Sequence, residues 1–421
     1  MRFEHPAHPG RAVRLAYCMN LHAGDDLDAI RSGIREVTLP LRDRLARGKT
    51  FGVGAYLPEP VATRLGSDPG AADGFATWLA DEGLDAFTFN AFPFGGFHRP
   101  GLKERVYAPD WRDTERLRYT REVARAARAI DARRADRRGH ISISTHPGSY
   151  GAWVDGPQDL TACAEEMGAM VQELQVIARS GGPEIVLSLE AEPRASAGDT
   201  IELAEFLTVA RIRIAKRLVE VGLSKADADD AASRHLGTCL DACHAAVQFE
   251  DPEQAVARSR FGGRLGKIQF SSALELVDPE AHPRGVAALL ALDEPVYLHQ
   301  VCGRLSSGEK ELCADLPNLA GDLELGRGHW LDCTAWRCHF HVPVDLDAFE
   351  GLGARHDHAG QLLNAALADP AKWGTDELHV EIETYTWGVL PGHEQGDRVE
   401  GLEREYAHVI GLLESAGWSR E

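Results

Sequence analysis

The chain has 421 residues, of which 44% are apolar and 26% charged, and its formal charge is −20. That balance is ordinary for a globular protein and gives enough length for one large domain or two average ones. The negative charge opposes a nucleic-acid partner, whose phosphates require a basic footprint.

No apolar run reaches the roughly 18 residues of a membrane span, so no direct membrane insertion is expected. The opening Met1-Arg2-Phe3-Glu4-His5-Pro6 has no apolar core of the signal-peptide kind. The sequence therefore reads as cytoplasmic. Eight cysteines agree with a reducing compartment, because Cys239/Cys243 and Cys333/Cys338 lack the short zinc-knuckle spacing and disulfides form poorly there.

In chain order, a first strand is expected over 14–20, ending near His22. A Gly24-Asp25-Asp26 turn then leads to a helix with apolar positions Leu27, Ile30, Ile34 and Val37. Residues 50–57 form a second strand, 75–84 a helix and 86–90 a third strand. An aromatic, glycine-rich loop follows and runs through Lys103 and Tyr107 to Trp111. Asp113 is placed to cap a helix whose positions Leu117, Val123, Ala127 and Ile130 keep helical spacing. The basic run 125–138 forms its solvated face and end. Residues 140–146, 184–193, 236–240 and 266–272 supply the fourth to seventh strands. Two further strands, 296–301 and 337–342, precede the last, 378–386.

Strands alternating with helices are the sequence form of right-handed βαβ units. Ten candidates exceed the eight of a closed barrel. We read an α/β fold, a (β/α)8 TIM barrel, with a β-rich insertion at approximately 273–336, in one domain over 1–421. An open doubly wound sheet would bring a glycine-rich phosphate turn after its first strand, and none is present.

In such a barrel the carboxyl ends of the strands face one mouth. This gathers Glu190 or Glu192, Asp241 with His244 three residues on, Gln269, His341, and Glu381 or Glu383. Each glutamate pair shares strand parity. Buried acceptors in that number call for a cation, since each unpaired buried charge is costly. Oxygen donors suit Mg²⁺ or Mn²⁺, and imidazole admits Zn²⁺ or Co²⁺. His299 and His339 read as core or rim histidines. The rings Phe92, Phe94, Phe97, Trp111, Tyr385 and Trp387 read either as a loop anchor or as the wall of a sugar-sized pocket.

The strand-end glutamate, Asp-x-x-His, Lys267-Ile-Gln269 and the terminal Glu383-Thr-Tyr resemble the xylose-isomerase-like barrels. Longer stretches resemble the metabolite traffic protein EboE family within that class. They are Tyr17-Cys18, Asn20, His22, Asn90-Ala-Phe-Pro-Phe-Gly-Gly-Phe-His98, Tyr107-Ala-Pro-Asp-Trp111, Glu115-Arg-Leu-Arg-Tyr-Thr120, Asp241-Ala-Cys-His244, Tyr297-Leu-His-Gln300, His339-Phe-His-Val-Pro343 and Glu381-Ile-Glu-Thr-Tyr-Thr-Trp387. The resemblance implies one divalent metal on Glu190, Asp241, Gln269 or His341, and Glu383. Glu190, His244 and Glu383 are then the catalytic candidates. His22, Asn90, Phe94, His98, Trp111, His146, His299 and Trp387 are taken as facing the substrate.

The function expected is a metal-dependent isomerase or epimerase of a small, sugar-like hydroxy-carbonyl metabolite, associated with metabolite traffic. The alternative is a metabolite-binding or hand-off protein that keeps the same pocket. Metal-dependent phosphodiester cleavage is disfavoured by the negative charge and by too few ligands for a multi-metal site.

Overall fold

A parallel strand inside an α/β protein is buried on both faces, and eight segments of this chain meet that condition at every position. They are Ala12–Tyr17, Phe51–Tyr56, Leu84–Asn90, Ile141–Thr145, Ile185–Glu190, Leu236–Asp241, Leu265–Phe270 and Glu377–Ile382. In the computed structural model, which describes residues 1–98, 101–261, 263–388 and 398–421, they pair in the order first, eighth, seventh, sixth, fifth, fourth, third, second.

The eighth strand lies parallel to the first, from Glu377 opposite Ala12 to Ile382 opposite Tyr17. A parallel bridge between Cys18 and Gly54 joins the two ends of the series. The sheet is therefore closed, and the fold is the expected (β/α)8 barrel. Arg2–Glu4 pairs antiparallel with the lower part of the first strand.

Outer helices start where acidic side chains take up free backbone N–H groups. Asp113 caps Thr114–Asp131, with Oδ1 accepting from the Glu115 N–H at 2.9 Å, and Asp199 caps Thr200–Glu220 in the same way. The basic run does more than decorate a solvated face. Arg134 is buried, and it donates to Asp85 at 2.5 Å and to Asp131 at 3.0 Å.

Several expected strands are trimmed, among them the fifth, which ends at Glu190 and leaves Glu192 beyond it. The first ends at Tyr17 and gives way to the turn Met19–His22. The eighth ends at Ile382, so Glu383 and Thr384 sit beyond it and Tyr385–Gly388 forms a turn. Of 296–301 only Val301 joins a strand. The Glu294 carboxylate takes the N–H groups of Val296 and Tyr297, and Asp315 takes that of His299, so side chains replace a ladder there.

A second, antiparallel sheet follows the seventh strand. Its order is Lys310–Cys313, Val301–Leu305, Cys333–Val342, Ser272–Val277, Leu352–Ala354, Ala348–Phe349. Its strands thus run past the interval 273–336. The sheet has its own apolar core, with Leu274, Leu276, Trp330, Trp336 and Phe340. Because Ser272 directly succeeds the seventh strand, the sheet rises from the barrel mouth. Its long strand Cys333–Val342 delivers His339 and His341 there. Among the described residues no helix is long and apolar enough to cross a membrane.

Closure depends on an absent side chain. A Cβ on Gly54 would stand 1.5 Å from Oε1 of Glu381, which is buried inside the barrel against Lys267. We predict that Gly54→Ala lowers unfolding stability by roughly 3 kcal/mol or more, from overpacking and a disturbed buried ion pair. Urea unfolding checks this, and a change below about 0.5 kcal/mol, the range of neutral surface substitutions, would contradict it.

Candidate metal and active site

The floor of the mouth is built from strand ends. Glu190 closes the fifth strand, Asp241 closes the sixth, and Glu383 follows the eighth. One carboxylate oxygen from each lies within 4.8 Å of the others. Asp241 also caps the helix Ala242–Val247: its Oδ1 accepts from the His244 N–H at 2.8 Å, while Oδ2 is buried without a hydrogen-bond partner. Asn20 and Asn90 donate to Glu383 Oε1 at 2.8 and 3.4 Å.

Gln269 faces Asp241 across the sheet and hydrogen-bonds Glu383, and its Oε1 accepts from the Cys239 thiol at 2.7 Å. Gln269 lines the cavity beside these acids, and His341 forms a donor group with Asp241 and His244. Burial, and then the neighbouring carboxylates, push the Glu190 and Glu383 carboxyls well above their ordinary range, and burial raises Asp241 as well.

The duplicated acids separate. Glu381 is deeper, paired with Lys267, whose ammonium also donates to Ser144 at 3.2 Å. Burial works against that ammonium, but Glu381 beside it keeps its pKa above the usual value. Glu192 lies on the cavity wall in a donor group with His244 and His339, and burial lifts its pKa to about 8.

Three imidazoles meet beside these acids. His339 Nε2 is 3.0 Å from His244 Nε2 and 2.9 Å from His341 Nε2. The opposite nitrogens reveal the tautomers. His244 Nδ1 faces the Ala191 carbonyl at 2.9 Å, and His341 Nδ1 faces the Glu383 carbonyl at 3.0 Å. His339 Nδ1 faces Gln300 Oε1 at 2.6 Å, and the Gln300 amide is oriented by its N–H donation to the Pro193 carbonyl at 3.0 Å. All three Nδ1 atoms therefore carry the proton, and three Nε2 lone pairs are left against one another.

Protonating a ring would relieve that contact. Burial opposes it, lowering His244 to about 3, His341 to about 4, and His339 well below the usual value. Unprotonated imidazole nitrogens beside crowded carboxylates, each ring steadied through its other nitrogen, fit a divalent cation.

A cavity stands above this floor. Asn90, Glu190, Glu192, His244, Gln269, His339, His341 and Glu383 line it below. Phe92, Phe97, Val106, Tyr297, Leu298 and Tyr385 form its upper wall. Lys103, at the rim, pairs with Asp315 at 2.7 Å and so ties the long loop to the second sheet.

The other expected substrate residues do not line the cavity. His22 is held by the Tyr17 hydroxyl at 2.8 Å. Phe94 packs on Tyr119, and the Trp111 indole donates to Thr145 at 3.1 Å. His98 bonds the Tyr297 hydroxyl and the Asn20 carbonyl, so it braces the wall from outside. His146 is buried among Phe92 and Tyr107. His299 is buried against Phe340 and reaches the His339 carbonyl at 3.0 Å. Trp387 is buried in the main core. Each belongs to the layer behind the cavity lining. Two residues placed here were not among the expected site residues: His339 was read as a core or rim histidine, and Asn20 figured only in the motif likeness. The signal for His339 was its two-residue spacing from His341, which puts both on one strand face. Asn20 carried no local signal.

No protein-family model matches the chain, and no curated protein matches it. Solved structures similar to it include an L-ribulose 3-epimerase, 12% identical over 96% of this chain and 95% of that one, with a TM-score of 0.45. A xylose isomerase domain protein from Planctomyces limnophilus is 15% identical over 96% of both chains, at 0.45. A D-psicose 3-epimerase from Clostridium cellulolyticum H10, solved with D-tagatose, is 11% identical over 95% of this chain and 99% of that one, at 0.46.

The turn that follows Glu383 is anchored by a buried acid. Glu405 accepts from the Thr384 hydroxyl at 2.6 Å and from the Trp387 indole at 3.1 Å, and burial raises its pKa from 4.5 to about 7. A folded pKa above the unfolded one means a contribution fully present below pH 4.5 and lost as pH rises through about 7. We predict that Glu405→Gln, which stays neutral, removes roughly 3 kcal/mol of that pH dependence. Denaturant titrations of both proteins across this window check it, and parallel curves would contradict it.

Proposed function

We propose that the chain is a divalent-cation-dependent isomerase or epimerase of a small hydroxy-carbonyl metabolite. The observation that carries this reading is the buried meeting of Glu190, Asp241 and Glu383, with Asp241 Oδ2 unpartnered, at the floor of a closed barrel mouth. In this reading the cation is Mn²⁺, Mg²⁺, Zn²⁺ or Co²⁺, and it would be held by Glu190, Asp241 and Glu383, with Gln269 or His341 as the further candidate. When bound, such an ion supplies Lewis acidity to a carbonyl and its neighbouring hydroxyl, which eases loss of the proton between them.

The remaining work belongs to the chain's own groups. Glu190 and Glu383 come from opposite sides of Asp241 in the strand order, so one is placed to take the proton and the other to return it. A carboxylate whose burial raises its basicity suits that transfer near neutral pH. Asn20 and Asn90 fix Glu383 in orientation. His244, with Nδ1 tied to the Ala191 carbonyl, lines the cavity and in this reading orients the substrate. The aromatic wall excludes water from the exchange.

A place in the EboE branch and a role in metabolite traffic belong to this reading on the motif likeness alone. A cytoplasmic location is supported by eight cysteines that are all buried and unpaired. The competing reading, a binding or hand-off protein, keeps the pocket and lacks exchange chemistry.

Two predictions follow the chemistry. Asp241→Asn weakens a charged ligand, so bound divalent metal should fall at least severalfold, together with the thermal stabilisation that added Mn²⁺ confers. Elemental analysis and melting curves read this out, and equal metal in both proteins would remove Asp241 from the ligand set. In D₂O, the wild type should exchange the hydrogen beside the carbonyl of a bound ketose or hydroxy-ketone, with Glu383→Gln slower by roughly 10²-fold or more. NMR over a panel of ketoses and hydroxypyruvate-like acids decides it. Binding without metal-dependent exchange would favour the hand-off protein.

A further inference from the structure

We propose that the cavity holds a second cation, at a separate donor set made of Glu192, His244 and His339. The proposal rests on the cation reading of the floor and is independent of which reaction follows.

Glu190, Asp241 and Glu383 form one compact group, and Glu192, His244 and His339 form another, each with its ligand atoms inside 4.8 Å. The two groups share no residue. Ordinary ligand bonds of roughly 2.0–2.3 Å place two donors on one ion no more than about 4.6 Å apart. Among the described residues, none of the compact donor groups joins Glu190 or Glu383 to His339. One ion on the carboxylates therefore leaves the second group unserved.

That second group has its own evidence of a missing positive partner. The His244 and His339 Nε2 atoms face each other at 3.0 Å, and both rings have committed the Nδ1 proton, to the Ala191 carbonyl and to Gln300 Oε1. The Gln300 amide cannot be reversed without losing its 3.0 Å bond to the Pro193 carbonyl. Both rings are more than nine-tenths buried, and so is Glu192, which completes the set from the cavity wall.

Donor chemistry separates the two positions. Three carboxylates form a hard, all-oxygen set suited to Mn²⁺ or Mg²⁺. Two imidazoles with one carboxylate select a transition metal such as Zn²⁺, Co²⁺ or Fe²⁺, with coordination positions left for an incoming ligand. His341 lies between them, 2.9 Å from His339 Nε2 and grouped with Asp241 of the first set and His244 of the second. Since His339 and Gln300 both come with the second sheet, the second cation would tie that sheet to the barrel. His244 then acts as a ligand there, in place of the substrate-orienting role it has beside a single cation.

The test is metal stoichiometry on the full chain. Protein stripped with chelator is titrated with Co²⁺ alone, followed by visible d–d absorption, and the washed product is measured by elemental analysis. The expected result is about two Co²⁺ per wild-type chain, bound in two steps. His339→Gln and Glu192→Gln should each retain about one and lose the imidazole-type absorption, while keeping the thermal shift produced by Mn²⁺. Saturation of the wild type at one ion overturns the proposal, as does a His339→Gln protein that still binds two. Zero ions would overturn the cation reading itself, a different result. If a variant fails to fold by circular dichroism, the wild-type titration alone decides between one and two.

Discussion

Buried negative charge at one end of the barrel is the constraint that the surrounding structure answers. Glu190, Glu192, Asp241 and Glu383 are all nine-tenths buried or more, and ionised acids in that position are unstable without compensation. Part of the answer is close by. Lys267 lies one layer below with Glu381, and amide donors from Asn20, Asn90 and Gln269 reach Glu383. Those donors orient the site without neutralising it. The remainder of the charge is what makes a cation the natural occupant.

The second sheet answers the same constraint from above. It could have been an independent module, because it carries its own apolar core. Instead the strand Cys333–Val342 runs on to the mouth, and Arg337 donates to the Ala246 carbonyl at 2.7 Å, on the helix that starts from Asp241. The segment leading into the sheet stays irregular, with Glu294 and Asp315 taking its backbone N–H groups. This irregularity lets Tyr297 and Leu298 turn toward the cavity and Gln300 turn toward His339.

The opposite end of the barrel handles charge differently. Arg14 donates to Asp85, Asp136 and Glu377 at 2.6 Å each, and Arg134 completes the network through Asp85 and Asp131. Every acid there has a cationic partner, so the network reads as structural. The contrast between paired acids below and crowded acids without a cationic partner above marks the mouth as the candidate site, the end at which such barrels carry theirs.

The sequence by itself determined the eight barrel strands among its ten candidates, because burial on both faces leaves continuous apolar runs between helix-forming connections, in segments such as 185–190; closure was an expectation that the tertiary pairing decided. It also determined that Asp241 and His244 share one turn, since a capping aspartate and the third residue after it are fixed by local geometry. It did not determine which of Glu381 and Glu383 faces the cavity. Both have the same strand parity, and only the depth of Lys267 inside the closed barrel separates them. Nor did it give His339 its place among the donors or Asn20 its bond to Glu383. His339 arrives from a sheet that folds back over the mouth, and Asn20 acts across 363 residues of intervening chain. Local pattern encodes the elements. Contacts between residues so far apart along the chain exist only once the barrel has closed and the second sheet has settled on it.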